Sequence, residues 1–145
     1  ILPGDTPFLR AATIDRLCRL RREKEVGVAM LSALLADPGS YGRVVRGKDG
    51  EVKAIVETKD ANIEEQKIKE INAAVYAFDT ELLLNCLGRI GCDNAQGEYY
   101  LTDVVAMLAD EDRAEALIAD DSNEVMGIND RLYLSRADKI PTPHS

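Results

Sequence analysis

Hydrophobic positions along the chain change their period several times, and each change marks an element. Over residues 10–25, Ile14, Leu17, Cys18 and Leu20 fall on one face with Arg and Lys opposite, which predicts an amphipathic surface helix. Its basic end, 19–24, lies where cations complement the helix dipole, so it reads as a solvated helix end and not a phosphate patch. Residues 26–35 (VGVAMLSALL) form a nearly continuous apolar run closed by Ala36-Asp37-Pro38-Gly39-Ser40, the pattern of a strand buried on both faces. Two shorter β-prone runs follow, 43–46 and 52–56. They are joined through Lys48-Asp49-Gly50, and Asp-Gly between strand-like runs predicts a hairpin.

A polar, helix-favouring stretch at 62–69 leads into Glu70-Ile71-Asn72 and an apolar run through Phe78. Asp79 or Thr80 can cap a helix through Ile90, with Leu83, Cys86, Leu87 and Ile90 on one face and Gly91 as its stop. After a polar loop at 92–97 the chain re-enters the fold at 98–101. A helix opening at Thr102 or Asp103 then carries Val104, Val105 and Leu108, and 114–119 read as a short strand. Gly127-Ile128-Asn129-Asp130 precedes a further helix opening at Arg131, and 141–145 read as a tail or linker. The alternation of strands and helices predicts the α/β class: a three-layer arrangement with a mostly parallel sheet and helices on both faces, plus the hairpin.

Composition narrows the function. A net charge of −8 argues against nucleic acid, whose phosphates are held by clustered Lys and Arg, but leaves room for a nucleotide. No apolar run approaches the roughly 20 residues of a membrane-spanning helix, so no membrane partner is expected. Cys18, Cys86 and Cys92 have no paired metal spacing, which points to packing thiols in a reducing cytoplasm. His144 is the single histidine and lies in the tail, so no mechanism rests on a histidine base.

Several polar groups stand where a ligand would need them. Asp5, at the carboxyl end of a strand read at 1–7, suits a hard cation or an Asx-type turn before Pro7. Gly42 allows close backbone approach to a ligand, or is an ordinary turn glycine. Glu57, at a strand end, can accept from sugar hydroxyls or pair with Lys59. Asn72 heads an apolar run and must be satisfied once buried, by a structural bridge or by a ligand. Glu98, Tyr99 and Thr102 are weaker pocket candidates, and Asn129 or Asp130 is a natural N-cap.

The segments LPGDTP (2–7), YGR (41–43), IVETKDA (55–61), EIN (70–72), NAQGEYYLTD (94–103) and GINDR (127–131) occur in one order at compatible spacing. Together they resemble the pyrophosphorylase (uridyltransferase) domain of the bacterial bifunctional N-acetylglucosamine-1-phosphate uridyltransferase/glucosamine-1-phosphate acetyltransferase. The resemblance implies a Rossmann-like nucleotide-sugar transferase fold, with 1–140 as the sugar-binding, C-terminal portion of that domain. It implies substrate contacts at Pro3, Gly4, Asp5, Gly42, Glu57, Asn72 and Asn129, of which Gly42, Glu57 and Asn72 touch the N-acetylglucosamine. It also implies magnesium held by Asp5 and Asn129, both hard oxygen donors. Where many family members carry Thr-Gly, this chain has Ala73-Ala74, a departure that bears on the fine shape of the pocket.

The implied reaction is UTP plus N-acetylglucosamine 1-phosphate giving UDP-N-acetylglucosamine and pyrophosphate, a step in cell-wall precursor synthesis. The sugar phosphate is already ionised, so positioning and charge neutralisation suffice and no catalytic nucleophile is expected. The chain opens at Ile1 without a methionine, and no Gly-rich triphosphate loop or hexapeptide acetyltransferase repeat is found in it. A fragment with little turnover of its own is therefore expected, and self-association through an exposed sheet edge is a further expectation. Two rivals stand beside this reading: a related nucleotidyltransferase with another sugar or nucleotide, and a non-catalytic sugar-nucleotide-binding or assembly module.

Overall fold

The structure is a computed structural model that describes Ile1, residues 9–89 and residues 101–126. Helix α1 (Ala11–Lys24) is followed by strands β1 (Val28–Leu34), β2 (Arg43–Arg46) and β3 (Val52–Val56). A 3-10 turn (Thr58–Asp60) and the short helix α2 (Ile63–Gln66) lead into the long strand β4 (Glu70–Phe78). Helices α3 (Thr80–Leu87) and α4 (Leu101–Asp110), strand β5 (Ala114–Ile118) and a second 3-10 turn (Ser122–Glu124) complete the described order. Among the described residues, no helix is long and apolar enough to cross a membrane.

The five strands form one sheet in the order β3-β2-β4-β1-β5. β1 is interior, and its alternating side chains explain why its sequence is apolar apart from Ser32. Val28 and Met30 point to a core shared with Val104, Val105 and Leu108 of α4 and Cys86 of α3. Ala29, Leu31 and Ala33 point the other way, to a core with Leu17 of α1, Val125, and Ile71, Ala73 and Val75 of β4. Helices thus cover both faces, as the three-layer expectation required.

The sheet is mixed. The mostly parallel order expected from the sequence holds for the β1–β5 pair, while β1–β4, β2–β3 and β2–β4 are antiparallel. The connections explain this. β2 and β3 are joined by a five-residue turn, closed by the Gly47 N–H donating to Glu51 O at 2.8 Å, with Gly50 in the left-handed region at φ 82°. So short a link permits only an antiparallel neighbour. Between β1 and β5, α3 and α4 provide the long excursion that a parallel pair needs.

One helix end differs from the sequence reading. α3 ends at Leu87 with Gly88 as its C-cap, earlier than the expected stop at Gly91, which lies outside the described residues. Its start agrees: Asp79 is the N-cap, its carboxylate accepting from the Leu82 N–H at 3.1 Å. α1 has no cap from its own N-cap side chain. It borrows Glu124, from the far end of the described chain, whose Oε1 accepts from the Arg10 N–H at 3.1 Å and the Thr13 hydroxyl at 2.7 Å. A carboxylate there satisfies orphan donors and complements the dipole. Ile1, the first residue of the strand expected at 1–7, exchanges backbone hydrogen bonds with Tyr76 of β4, at 2.8 and 3.0 Å.

At the start of β4, Glu70 is nearly buried and held by three charged or polar contacts. Arg46 donates to it from Nε at 2.7 Å and from Nη2 at 2.8 Å, and the Ser32 hydroxyl donates at 2.6 Å. Burial alone would raise the Glu70 carboxyl, but the hydrogen bonds from Arg46 and Ser32 outweigh it and hold the group below the usual glutamate range. A depressed carboxylate contributes stability that is present above its unfolded-state value and is lost as pH falls through the folded one. Arg46→Ala leaves Glu70 buried and unpaired. Because Arg46 is partly exposed, the expected loss is about 2 kcal/mol, below the range for fully buried pairs. Urea unfolding of both chains should show that difference at neutral pH and a shrinking one on acidification.

Candidate functional site

The hairpin, the turn after β3 and the start of β4 meet at one rim of the sheet. Gly42 precedes β2, and its carbonyl accepts from the Asn72 backbone N–H at 2.8 Å. Glu57 follows β3 directly opposite: an atom at the Cβ position of Gly42 would lie 3.3 Å from Glu57 Oε2 and 3.3 Å from Ile55 Cγ2. Glycine is favoured here by that close approach of backbone to side chains, since a Cβ would crowd them by a few tenths of an ångström, and not by its torsion angles. The three residues that sequence reasoning singled out for the sugar, Gly42, Glu57 and Asn72, are therefore brought together by pairing between β2, β3 and β4.

The loop that delivers Gly42 is held by groups with no obvious sequence signal. Arg43 is buried, and its guanidinium donates to main-chain carbonyls alone in the contacts seen: Tyr41 O, Gly39 O at 3.1 Å and Gln66 O at 3.3 and 3.4 Å. The Thr58 hydroxyl donates to Ser40 O at 2.8 Å and lies 3.3 Å from Tyr41 O. Arg43 and Thr58 so fix the 39–41 backbone against α2 and against the residue after Glu57. α2 itself is set by a capping box in which Asn62 and Glu65 exchange side-chain and backbone hydrogen bonds at 2.8 and 2.9 Å.

Asn72 is buried, and the strand around it is distorted. Opposite β1, Leu31 pairs with Val75 and Ser32 with Asn72, so Ala73 and Ala74 bulge out of register. Ala74 takes φ 60°, the left-handed region that an alanine enters at a cost of about 1–2 kcal/mol. The bulge aims the Ala74 N–H at Asn72 Oδ1, 2.8 Å away. The amide also meets the Tyr76 hydroxyl, with Nδ2 donating to it at 2.8 Å and the hydroxyl 3.1 Å from Oδ1. This position, where the chain departs from the family's Thr-Gly, keeps the backbone shape that glycine would adopt without strain.

Electrostatics at the rim are acidic. Burial raises the Glu57 carboxyl above its ordinary value, and the neighbouring charges of Asp60 and Asp103 raise it further. Asp103 comes from the first turn of α4, so this helix closes the rim from the core side. Burial likewise pushes the Tyr76 phenol up to about 12, opposed by its hydrogen bond with Asn72 and assisted by the charge of Glu57. Tyr76 is thus a neutral hydrogen-bonding group at any working pH. The cluster offers one carboxylate acceptor, one amide and a close-lying backbone. That set suits a hydroxyl- and amide-bearing ligand.

Thr102, a weaker candidate, is buried at the start of α4. Pro3, Gly4, Asp5, Glu98, Tyr99 and Asn129 lie outside the described residues, so both expected metal ligands do as well. Among the described residues no group of three or more His, Cys, Asp or Glu could hold a metal ion. A separate cleft of about 560 Å³ opens beside the β1–β2 loop, lined by Leu35, Pro38, Tyr41 and Met126 among others. Leu35 and Tyr41 pack against the α1-side core, and none of Gly42, Glu57 and Asn72 lines this cleft.

No protein-family model matches the chain. Among curated proteins, the bifunctional protein GlmU of Trichlorobacter lovleyi is 46% identical over 141 residues. Those of Limosilactobacillus reuteri and Levilactobacillus brevis are 45% and 47% identical over the same length. The chain is similar in sequence to part of GlmU. Each match covers 97% of this chain but 31% of the relative, so the chain spans about a third of the proteins it resembles. Among solved structures, a putative glucose-1-phosphate thymidylyltransferase from Bacillus anthracis aligns with a TM-score of 0.60. It is 16% identical, covering 85% of this chain and 49% of the neighbour, and so shows the shared fold. The sequence similarity is thus to part of GlmU, and the structural similarity is that of an α/β fold.

Two outcomes are expected at this rim. Glu57→Gln removes a carboxylate whose raised value means that ionising it costs folding free energy. Such a group favours the folded state most at low pH, and that advantage is lost as pH rises through its folded value. The variant should therefore melt higher than the parent at pH 7, with the gap closing on acidification in thermal scans. Ala74→Gly should stabilise the GlmU-like chain by up to about 1 kcal/mol in denaturant titrations, since relief of the left-handed strain exceeds the added chain entropy.

Proposed function

We propose that this chain carries the sugar side of the site for uridylyl transfer from UTP to N-acetylglucosamine 1-phosphate, giving UDP-N-acetylglucosamine and pyrophosphate. The observation that carries the proposal is the convergence of Gly42, Glu57 and Asn72 at one rim, from three separate strands. Glu57 is placed to accept from a sugar hydroxyl, Asn72 to hydrogen-bond a second polar group, and Gly42 to let the ring approach the backbone. In the reaction, a phosphate oxygen of the sugar phosphate forms a bond to the α-phosphorus of UTP as the bond to pyrophosphate breaks. That oxygen is already ionised, so the residues need only bind, orient and exclude water.

Pro3, Gly4 and Asp5 would line the phosphate end, and Asp5 with Asn129 would hold a magnesium ion. A carboxylate and an amide oxygen are donors of the kind this ion takes. When bound, the ion would neutralise phosphate charge. The GlmU-like reading places the work in the cytoplasm, in the supply of cell-wall precursors. A related nucleotidyltransferase acting on another sugar phosphate or on thymidine triphosphate is the second reading, favoured by the fold of the thymidylyltransferase neighbour.

Calorimetric titration of the chain with UDP-N-acetylglucosamine, with and without magnesium, tests the proposal. Saturable binding is expected, weakened at least tenfold by Glu57→Ala or Asn72→Ala, as loss of a hydrogen bond to a buried or charged group implies (about 1.5–3 kcal/mol). Little or no turnover with UTP is expected from these 145 residues alone. Equal or tighter binding of thymidine-diphosphate glucose would favour the second reading, and no binding by the folded chain would count against both.

A further inference from the structure

We infer that Tyr76 is a positioning residue that makes Asn72 a one-way hydrogen-bond donor, so that the site selects a ligand oxygen acceptor at that point. This rests on the sugar-nucleotide reading above and extends it to a residue outside the sugar-contacting trio. Three observations carry it.

First, the Ala73–Ala74 bulge directs the Ala74 N–H onto the Asn72 side chain at 2.8 Å. A backbone N–H can only donate, so the atom facing it must be Oδ1, and this removes the usual ambiguity in which way an amide points. Second, Nδ2 is then on the far side, where it donates to the Tyr76 hydroxyl at 2.8 Å. That hydroxyl lies 3.1 Å from Oδ1 as well, so it bridges both ends of the amide and opposes rotation about its last torsion. Third, the pair is buried, with Asn72 8% and Tyr76 5% exposed, so water does not offer substitute partners.

One of the two Nδ2 protons is used by Tyr76. The other has no bond among the described residues, and the backbone of Asn72 is tied directly to Gly42. Asn72 therefore shows the rim a donor, while Glu57 shows it an acceptor when ionised. The two read opposite polarities, as a hexose bearing both a carbonyl and hydroxyl groups would present. Without the Tyr76 hydroxyl the bulge still offers its N–H, but the far end of the amide is no longer held.

A double-mutant cycle on the full chain tests this, with UDP-N-acetylglucosamine affinity followed by NMR titration to millimolar ligand. Tyr76→Phe keeps the ring and removes the hydroxyl. It should weaken binding about tenfold in the parent background and less than about twofold after Asn72→Ala. The Asn72 side-chain NH2 signal should also shift and exchange faster with water in Tyr76→Phe. An unchanged affinity, or the same loss in both backgrounds, would overturn the inference, since a tyrosine that served the fold alone would act without Asn72. An unmoved Asn72 amide signal in Tyr76→Phe would overturn it independently. Absence of binding by the parent chain would instead sink the sugar-nucleotide reading and with it the selectivity, while the amide signal would still decide whether Tyr76 holds Asn72.

Discussion

A primary amide buried inside a sheet has to find its partners within the protein, and the structure around β4 is built to that requirement. Asn72 is held by the Ala74 N–H that the Ala73–Ala74 bulge directs to it and by the Tyr76 hydroxyl, which leave one Nδ2 proton over, while its own backbone N–H goes to Gly42. An unmet amide would cost roughly 1–3 kcal/mol, comparable to the strain of holding Ala74 at φ 60°. The bulge is therefore the way the strand keeps a polar side chain inside while still pairing with β1 on either side.

The same strand divides the molecule's two cores. Its residues before the bulge pair with Ser32 and Ala33, and those after it with Leu31 back to Val28, so one distortion is accommodated while β1 stays buried from Val28 to Ala33. With β1 apolar on both faces, α1 must cover one side and α3 with α4 the other. One cover is anchored at long range, by Glu124 capping α1, and the other locally, by Asp79 capping α3. The second cover brings Asp103 toward Glu57, which links the packing of the core to the charge at the rim.

Local costs concentrate where binding chemistry is proposed. Glu57 sits among carboxylates, Ala74 is strained, and Arg43 buries a guanidinium on main-chain carbonyls. Each is unfavourable or expensive in isolation, and each helps to hold a polar group facing the rim. Such departures from local preference are where a fold is expected to give up stability for function. The Arg46–Glu70–Ser32 network shows the contrasting case, a buried charge fully met by its neighbours.

Periodicity by itself determined the elements: the amphipathic α1, the doubly buried β1, the Asp-Gly hairpin and the cap at Asp79 all follow from residue pattern, because those signals are local. The resemblance carried by motif order pointed to Gly42, Glu57 and Asn72, and the expectation of positioning chemistry came from the reaction that resemblance implies. Strand direction was decided only in three dimensions, since a pattern of apolar residues is the same in a parallel and an antiparallel neighbour. The partners of the site residues were also out of reach. Tyr76 read as one more apolar position in a run, because its hydroxyl gains meaning only when the bulge turns Asn72 toward it. Glu124 and Asp103 carry no local sign of their roles, as a charge that acts across more than a hundred residues, or from a separate layer, is placed by packing alone.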